Sequence, residues 1–479
     1  MLRDFFKDFL IYTLPTILSR GIAIVLLPIY TRVISPQDFG ALDLFLVFGN
    51  IIALTVALEI HQAVARFIPE LASKKLKNEY TFTALLFTLL MYSLFLIVAF
   101  LFSKELTVLI VGSENYTKPF QLALFYIFFT GFFSFFQTQL RFEGNSKGYA
   151  IVSLLFSLLN LFFVCLFAVL LNLGLNGVLY AMILSSLTSS ILAYIILFRN
   201  PILSFNFQFL KEMLKFSVPL VPASVFVFIS LYVDRLMINH FMNLEAVGLY
   251  SLGVRIASVS SLIMIGFQMS ITPLIYKNHT APETPSHLAK IFRYFIFCSL
   301  LFFVSISFFS HELLFVFTTP EYYASAPIIP FLVLSYLFSN MYVFMPGIAI
   351  KKKTYLFVII NVIGAATNVI LNFYFIPLWG IVGAALATTI GYGIVFLIYV
   401  YFSQKYYPVS HEFQKIIGML LLAISATLLI YSINLQFWYF VTLKLVLLTI
   451  FFLLLFFSKI ITKKEFLFAR NTLLRRIKI

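Results

Sequence analysis

The chain has 479 residues, 62% of them hydrophobic and only 11% charged, with a mean hydropathy of +1.03. A soluble domain carries about 25% charged residues, so this composition excludes a water-facing globule and leaves no polar stretch for a separate soluble domain. The net charge of +15 is better explained by membrane sidedness than by nucleic acid, which is not expected as a partner.

Spans need about 20 apolar residues to cross a hydrocarbon core of about 30 Å. The first apolar stretch is too long for a signal-peptide core of about 7–15 residues and lacks a small-x-small cleavage site, so it is expected to stay as the first span. In chain order the candidates are 9–33, 40–65, 80–103, 119–142, 149–172, 175–198, 213–240, 246–276, 291–311, 326–350, 354–376, 380–403, 415–433 and 437–458. All are expected to be helices, because a lipid-exposed span must satisfy its backbone hydrogen bonds internally and none alternates like a barrel strand. The expected class is an all-α polytopic membrane protein with fourteen spans. Cys165 and Cys298 each lie within an apolar run, against a disulfide framework or a cysteine-based zinc site. No metal or cofactor is expected.

Basic residues test the topology. With the N-terminus in the cytoplasm, the inner loops and the tail after Ser458 collect every Lys and Arg except Arg20, Arg32, Lys104, Lys118, Arg235, Arg255 and Lys444. One missed or spurious helix would scramble that segregation, so both termini are expected inside. The basic tail suits anionic lipid.

An internal repeat follows. Lys147, Gly174, Gly177 and Ala181 recur as Lys353, Gly380, Gly383 and Ala387, and Gln37 and Gly40 recur as Glu245 and Gly248. Six spans separate equivalent positions, which implies parallel repeats about an axis along the membrane normal. The expected domains are an N-lobe over 1–200 (helices 1–6), a C-lobe over 201–410 (helices 7–12), and 411–479 with two further helices and the tail.

Charges inside a bilayer are costly and face a cavity or a partner. Here they concentrate in helices 1, 2, 7 and 8. Arg20 and Arg255 fall near mid-membrane. Glu59, His61 and Arg66 lie toward the inner side of helix 2, and Asp43 toward its outer side. Asp234 and Arg235 occupy the outer third of helix 7, and Arg32 ends helix 1. Helical spacing groups Thr55, Glu59, Gln62 and Arg66 on one stripe, with His61 and Asp43 off it. The pattern implies a polar cleft holding arginines and a few acids. Guanidinium groups clamp phosphate bidentately and stay charged when partly buried, so Arg20, Arg255, Arg235, Arg32 and Arg66 are candidates for a phosphorylated substrate. Glu59, Asp234 and Asp43 are candidate carriers of a coupling proton or cation. Each also has a structural reading: Arg20 and Arg255 as ties in the cleft wall, Asp234–Arg235 in an inter-helix role, Glu59 as the partner of Arg66 or another base, His61 as a packed or snorkelling side chain, and Arg32 and Arg66 as anchors at helix ends. Lys444 lies outside the lobes, and Asp38 and Glu245 suit helix caps.

The run Leu26, Pro28, Tyr30-Thr31-Arg32, Ser35-Pro36, Asp38-Phe39-Gly40 and Asp43 resembles the opening of Wzx-type polysaccharide flippases. Similar in order are Arg66-Phe67-Ile68-Pro69-Glu70, Asp234-Arg235 with Val247-Gly248-Leu249-Tyr250-Ser251, Thr319-Pro320-Glu321-Tyr322-Tyr323, Asn372, Ile376-Pro377 and Gly380-Ile381-Val382-Gly383-Ala384-Ala385. These motifs span nearly the whole chain. The resemblance, within the multidrug and lipid-oligosaccharide exporter superfamily, implies two six-helix lobes, alternating access and an undecaprenyl-pyrophosphate-linked oligosaccharide as cargo. It also implies a bacterial inner membrane, H+ or Na+ as coupling ion and other polysaccharide-assembly proteins as partners. Arginines of the first and eighth helices bind the diphosphate in that superfamily, which maps onto Arg20 and Arg255. The alternative is a multidrug or cation antiporter of the same fold, which predicts a site of acids and aromatics. A membrane-embedded transferase would need an acid or His cluster at an interface, which Asp38 alone does not supply.

Overall fold

The computed structural model describes residues 18–19, 21–71, 73–197, 204–264, 267–268, 271, 275, 280–353, 355–433 and 437–457. No strand occurs among them. They fall into two compact units, one within Met1–Ser251 together with Phe317–Tyr322, the other within Leu252–Val316 together with Tyr323–Ile479.

In the first unit the helices are α1 (Gly21–Val33), α2 (Pro36–Thr55), α3 (Ile60–Phe67), α4 (Lys74–Leu101), α5 (Ser103–Val111), α6 (Thr117–Phe142), α7 (Ser146–Val164), α8 (Gly174–Leu197), α9 (Phe207–Ser217) and α10 (Val221–Phe241). The next helix, α11 (Leu244–Ser258), runs past the division between the units. Local chemistry sets the starts. Ser35 caps α2, its hydroxyl accepting from the Asp38 N–H at 3.2 Å, with Pro36 at the first helical position, where its missing N–H costs nothing. Asn145 and Asn206 cap α7 and α9 in the same way.

The apolar pattern of α4 is turned outward: Leu90, Leu94, Ile97 and Leu101 are each more than half exposed. Their spacing puts them on one helical face, and an exposed stripe of leucine and isoleucine fits lipid, not water. The inner contacts use small residues instead. Along α8, Gly177, Ala181, Ser185, Ser189 and Ala193 recur every fourth position and are all buried, and this helix packs against α6 and α7. Small residues at i, i+4 spacing let helix backbones approach closely in a bilayer. The tightest crossing joins α2 to α11. A Cβ on Gly40 would strike Leu244 O and come within 2.9 Å of Gly248 N, and one on Gly248 would strike Pro36 O and come within 3.0 Å of Gly40 N. The two glycines that match in the repeat therefore face each other. Residues 317–322 join this unit through Thr31, whose hydroxyl donates to Phe317 O at 3.2 Å, and Tyr322, whose hydroxyl donates to Ile34 O at 2.8 Å.

The second unit holds α12 (Thr284–Phe308), α13 (Ser310–Phe317, which ends at the joining segment), α14 (Ile329–Asn340), α15 (Gly347–Ile350), α16 (Tyr355–Tyr406), α17 (Phe413–Ser432) and α18 (Phe437–Phe457). At 1.5 Å per residue, a straight α16 would be about 78 Å long, far beyond one bilayer. Gly380, at φ 58° and ψ −137°, breaks it into two helices, a conformation glycine adopts without Cβ strain. This break separates the expected spans 354–376 and 380–403. Twelve described helices are long and apolar enough to cross a membrane, α16 counted as one, and Gly21–Val33 is a shorter apolar helix. The all-α polytopic class holds, while the count of fourteen stays an expectation.

The expected spans 326–350 and 40–65 are not continuous helices: the first is α14 and α15 with 341–346 between them. The run 40–65 ends at Thr55 and restarts at Ile60, with a turn between.

Candidate functional site

Two clusters of buried charge lie in the first unit. The first joins α2, α10 and α11. Asp43 Oδ2 accepts from Arg235 Nε at 3.1 Å and from Ser251 Oγ at 2.7 Å. Asp234 Oδ1 accepts from Arg235 Nη1 at 2.9 Å, and its Oδ2 from the Tyr250 hydroxyl at 2.6 Å. Arg235 also donates to Leu231 O at 2.9 Å, and its guanidinium lies over the rings of Tyr232 and Tyr250. Arg235 and Asp234 are buried. Burying a charge costs several kcal/mol, and only close partners offset that. Here two acids share one guanidinium and two hydroxyls donate to them, so three of the residues singled out from sequence converge on one another. Asp43, off the stripe of its own helix, reaches Arg235 because it looks across to α10.

The second cluster forms where α2 breaks. Leu58 and Glu59 take φ values of 49° and 55°, in the left-handed region that costs a non-glycine residue roughly 1–2 kcal/mol. Neither glycine nor proline occurs between Thr55 and Ile60 to cause the break. Glu59 is only 2% exposed. Its Oε1 accepts from Ser224 Oγ of α10 at 2.5 Å, and its Oε2 lies 3.1 Å from His61 Nε2 without an aligned hydrogen-bond donor. Strained backbone of this kind persists only where its surroundings hold it, and it concentrates at functional sites. One correction follows. His61 is not off to one side of Glu59, because two left-handed residues overturn the 100° periodicity and bring it alongside. Of the bases open to Glu59, the one beside it is His61 and not Arg66, which pairs with Glu70 one turn on.

The remaining candidates are Arg32, Arg66, Arg255 and Arg20. Arg32 is exposed, and its Nη1 donates to Pro28 O at 3.1 Å. Arg66 is about half exposed (52%) at the end of α3. Arg255 is half-buried on α11, on the second unit's side of the division. Arg20 lies outside the described residues. In the second unit, Lys444 of α18 is 1% exposed, and its Nζ donates to both oxygens of Glu312 on α13, at 2.7 and 2.9 Å, with the Phe440 ring 4.0 Å away. The sequence held the clue, since a lone cation inside a span needs an acid. Among the described residues no group of three or more His, Cys, Asp or Glu is placed to hold a metal ion.

Known proteins share this architecture. Residues 5–279, more than half of the chain, match the family described as "Polysaccharide biosynthesis protein", and residues 219–374 match the MatE family. Lsg locus putative protein 1 of Haemophilus influenzae is 25% identical over 283 residues, 57% of this chain and 66% of that protein, so the match spans just under two thirds of its length. An uncharacterized membrane protein of Methanocaldococcus jannaschii is 23% identical over 434 residues, 83% of each chain. Among solved structures, the lipid II flippase MurJ in an inward closed conformation superposes with a TM-score of 0.72 at 17% identity, over 93% of this chain and 97% of that one. An inward-facing multidrug resistance transporter of the MATE family gives 0.65 at 18%, over 83% and 97%. At these identities the superpositions speak for the fold, and the family match carries the assignment. The chain belongs to the polysaccharide biosynthesis protein family, and it shares its fold with the MurJ flippase and MATE transporters.

Proposed function

We propose that this transporter flips undecaprenyl-pyrophosphate-linked oligosaccharide repeat units from the inner to the outer leaflet of the bacterial plasma membrane, by alternating access of the lobes 1–200 and 201–410, with both termini in the cytoplasm. The observation that carries the reading is the polysaccharide-family match across residues 5–279, joined to a fold like that of a protein named as a lipid II flippase. Arg20 and Arg255 hold the diphosphate in this reading, with Arg32 and Arg66 along its path.

Coupling is assigned to Glu59, with a proton as the ion and Na+ as the other candidate. A buried carboxylate is expensive to keep charged. Glu59 is balanced by His61 and the Ser224 hydroxyl on a strained break. Adding a proton removes the charge that holds His61, which gives the break a second arrangement to relax into. A two-state element biased by protonation is what a coupled carrier requires. Asp43 and Asp234 are already committed to Arg235 and are weaker carriers.

The test deletes the gene in its host and asks whether lipid-linked glycan accumulates on the inner leaflet. Complementation should fail for Arg20→Ala and Arg255→Ala at normal protein levels, and Glu59→Gln should abolish the dependence of transport on the proton gradient. A deletion that leaves the lipid-linked pool evenly distributed rejects the function. The MatE match over 219–374 favours one other reading, a drug or cation antiporter. That predicts a deletion strain sensitised to cationic drugs with normal glycan export.

A further inference from the structure

We infer that the first unit carries a separate glycan site at its outer end, taking the neutral sugar hydroxyls of the cargo. The inference rests on the proposed cargo and on the sidedness read from the basic residues, which places residues 34–38, 112–118 and 172–176 outside. A cavity of about 480 Å³ opens where the first turns of α2, α6 and α8 meet the short helix Glu114–Tyr116. Ligand sites commonly measure about 300–1,000 Å³. Its walls include Gln37, Asp38, Ser113, Asn115, Tyr116 and Asn176.

Two features of this wall ask for hydroxyl partners. Asn176 lines the cavity, and its Oδ1 is enclosed with no hydrogen-bond donor, so it carries the full cost of its lost hydration until the amide turns toward a hydroxyl in the cavity. Asp38 Oδ1 accepts from the Tyr116 hydroxyl at 3.0 Å, while Oδ2 has no partner among the described residues. A helix-capping role does not account for Asp38, because Ser35 already caps α2, and it leaves Asn176 unexplained. The chemistry narrows the ligand. Planar carboxylate and amide groups match pairs of neighbouring hydroxyls, and the Tyr116 ring offers a face for sugar C–H groups. No basic side chain lines the wall, which disfavours phosphate or uronate. A single carboxylate without histidine disfavours a metal. The site therefore receives sugar and not diphosphate, and holds the glycan on the side where it is delivered.

The probe is the oligosaccharide released by mild acid from the host's lipid-linked pool, tagged with a fluorophore and read by polarisation against the full chain in lipid nanodiscs. Wild type should bind it, and undecaprenyl phosphate, which carries no sugar, should not compete. Asp38→Asn and Asn176→Ala should each weaken binding roughly fivefold or more, as loss of a hydrogen bond to a buried partner predicts. Tyr116→Phe removes only a hydroxyl and keeps the test open if Asn176→Ala misfolds. Equal binding by wild type and folded variants overturns the site, as does displacement by undecaprenyl phosphate. A wild type that fails to bind while the leaflet assay shows glycan being flipped overturns it too. Failure of flipping in the leaflet assay rejects the proposed function instead, so the two failures are distinguishable.

Discussion

Asp43 and Glu59 lie on the same stretch of chain, yet the structure treats them oppositely. At Asp43 the helix is regular, and the carboxylate shares Arg235 with Asp234 while Ser251 and Tyr250 donate to the two acids. At Glu59 the backbone is left-handed, and the carboxylate rests on one hydroxyl and one histidine, with an oxygen lacking an aligned donor. A saturated cluster on relaxed backbone has one low-energy arrangement and ties helices together. An incompletely satisfied group on strained backbone has less to lose by changing state. Burial of charge alone therefore does not mark a functional residue; what matters is how completely the charge is answered.

The largest effect should come from emptying the saturated cluster. Arg235→Ala leaves the buried Asp234 and the part-buried Asp43 without this guanidinium, and breaking a buried pair in this way costs about 3–5 kcal/mol. The expected result is little folded protein, measured as monodisperse material recovered in detergent. If Arg235→Ala folds at wild-type yield and fails only in transport, Arg235 contacts cargo and the contrast with Glu59 collapses.

A second histidine sharpens the comparison. His411 lies between α16 and α17, outside the spans, and is 2% exposed with its ring 4.7 Å from that of Phe292. Burial holds its pKa down to about 4, with the Phe344 backbone acting weakly the other way. The folded chain thus keeps this ring neutral where the unfolded chain would not. Above the unfolded value of about 6.5 it has no effect on stability. As pH falls from there toward 4, the unfolded state takes up a proton that the folded state refuses, and about 3 kcal/mol is lost in all. Glu412 works in the same direction: its bond to Lys415 holds its pKa below the usual carboxylate value, so its contribution is present at neutral pH and fades in acid. Melting temperature against pH should fall over this window, and His411→Phe should flatten much of the fall. Any pH dependence of transport that survives when His411→Phe is combined with Glu412→Gln then has a source other than these two groups.

The strain at the break gives a smaller and more local test. Leu58→Gly removes a Cβ that the left-handed region disfavours, and should stabilise the folded chain by about 1 kcal/mol. The same substitution at Thr55, at the helical end of α2, should destabilise by about 0.5–1 kcal/mol. Chemical denaturation in mixed micelles reads both. Equal losses at the two positions would mean that the break is not strained.

Much of this was legible beforehand, and for physical reasons. Span positions follow from runs of about 20 apolar residues, and Gly380 marks a break because only glycine takes its conformation easily. That Asp234 and Arg235 belong together was readable from two charges side by side in oil; that Asp43 completes the set was not, since contacts across helices leave no trace in the spacing of either one. Glu59 was legible as a costly acid, but its partners were not. The break that creates them contains Ala57, Leu58 and Glu59 and carries no turn residue, so periodicity carried straight through it and put Arg66, rather than His61, on the same stripe as Glu59. Lys444 announced the need for an acid without saying which.

Arg66 offers the smallest stability effect and a sharp functional one. Its side chain is 52% exposed and that of its partner Glu70 is 60% exposed, and exposed pairs contribute about 0–1 kcal/mol. Arg66→Ala should leave the melting temperature nearly unchanged, in contrast to Arg235→Ala. The same weakness suits a site on the cargo path, because Glu70 can be exchanged for a phosphate oxygen at little cost, whereas Arg235 would have to abandon two buried acids. The expected outcome is severalfold slower flipping at normal protein levels, only partly restored by Arg66→Lys, since lysine lacks the planar fork that grips phosphate bidentately. Full activity in Arg66→Ala would confine Arg66 to anchoring the helix end, and the guanidinium groups that meet cargo would then have to be sought at Arg20 and Arg255.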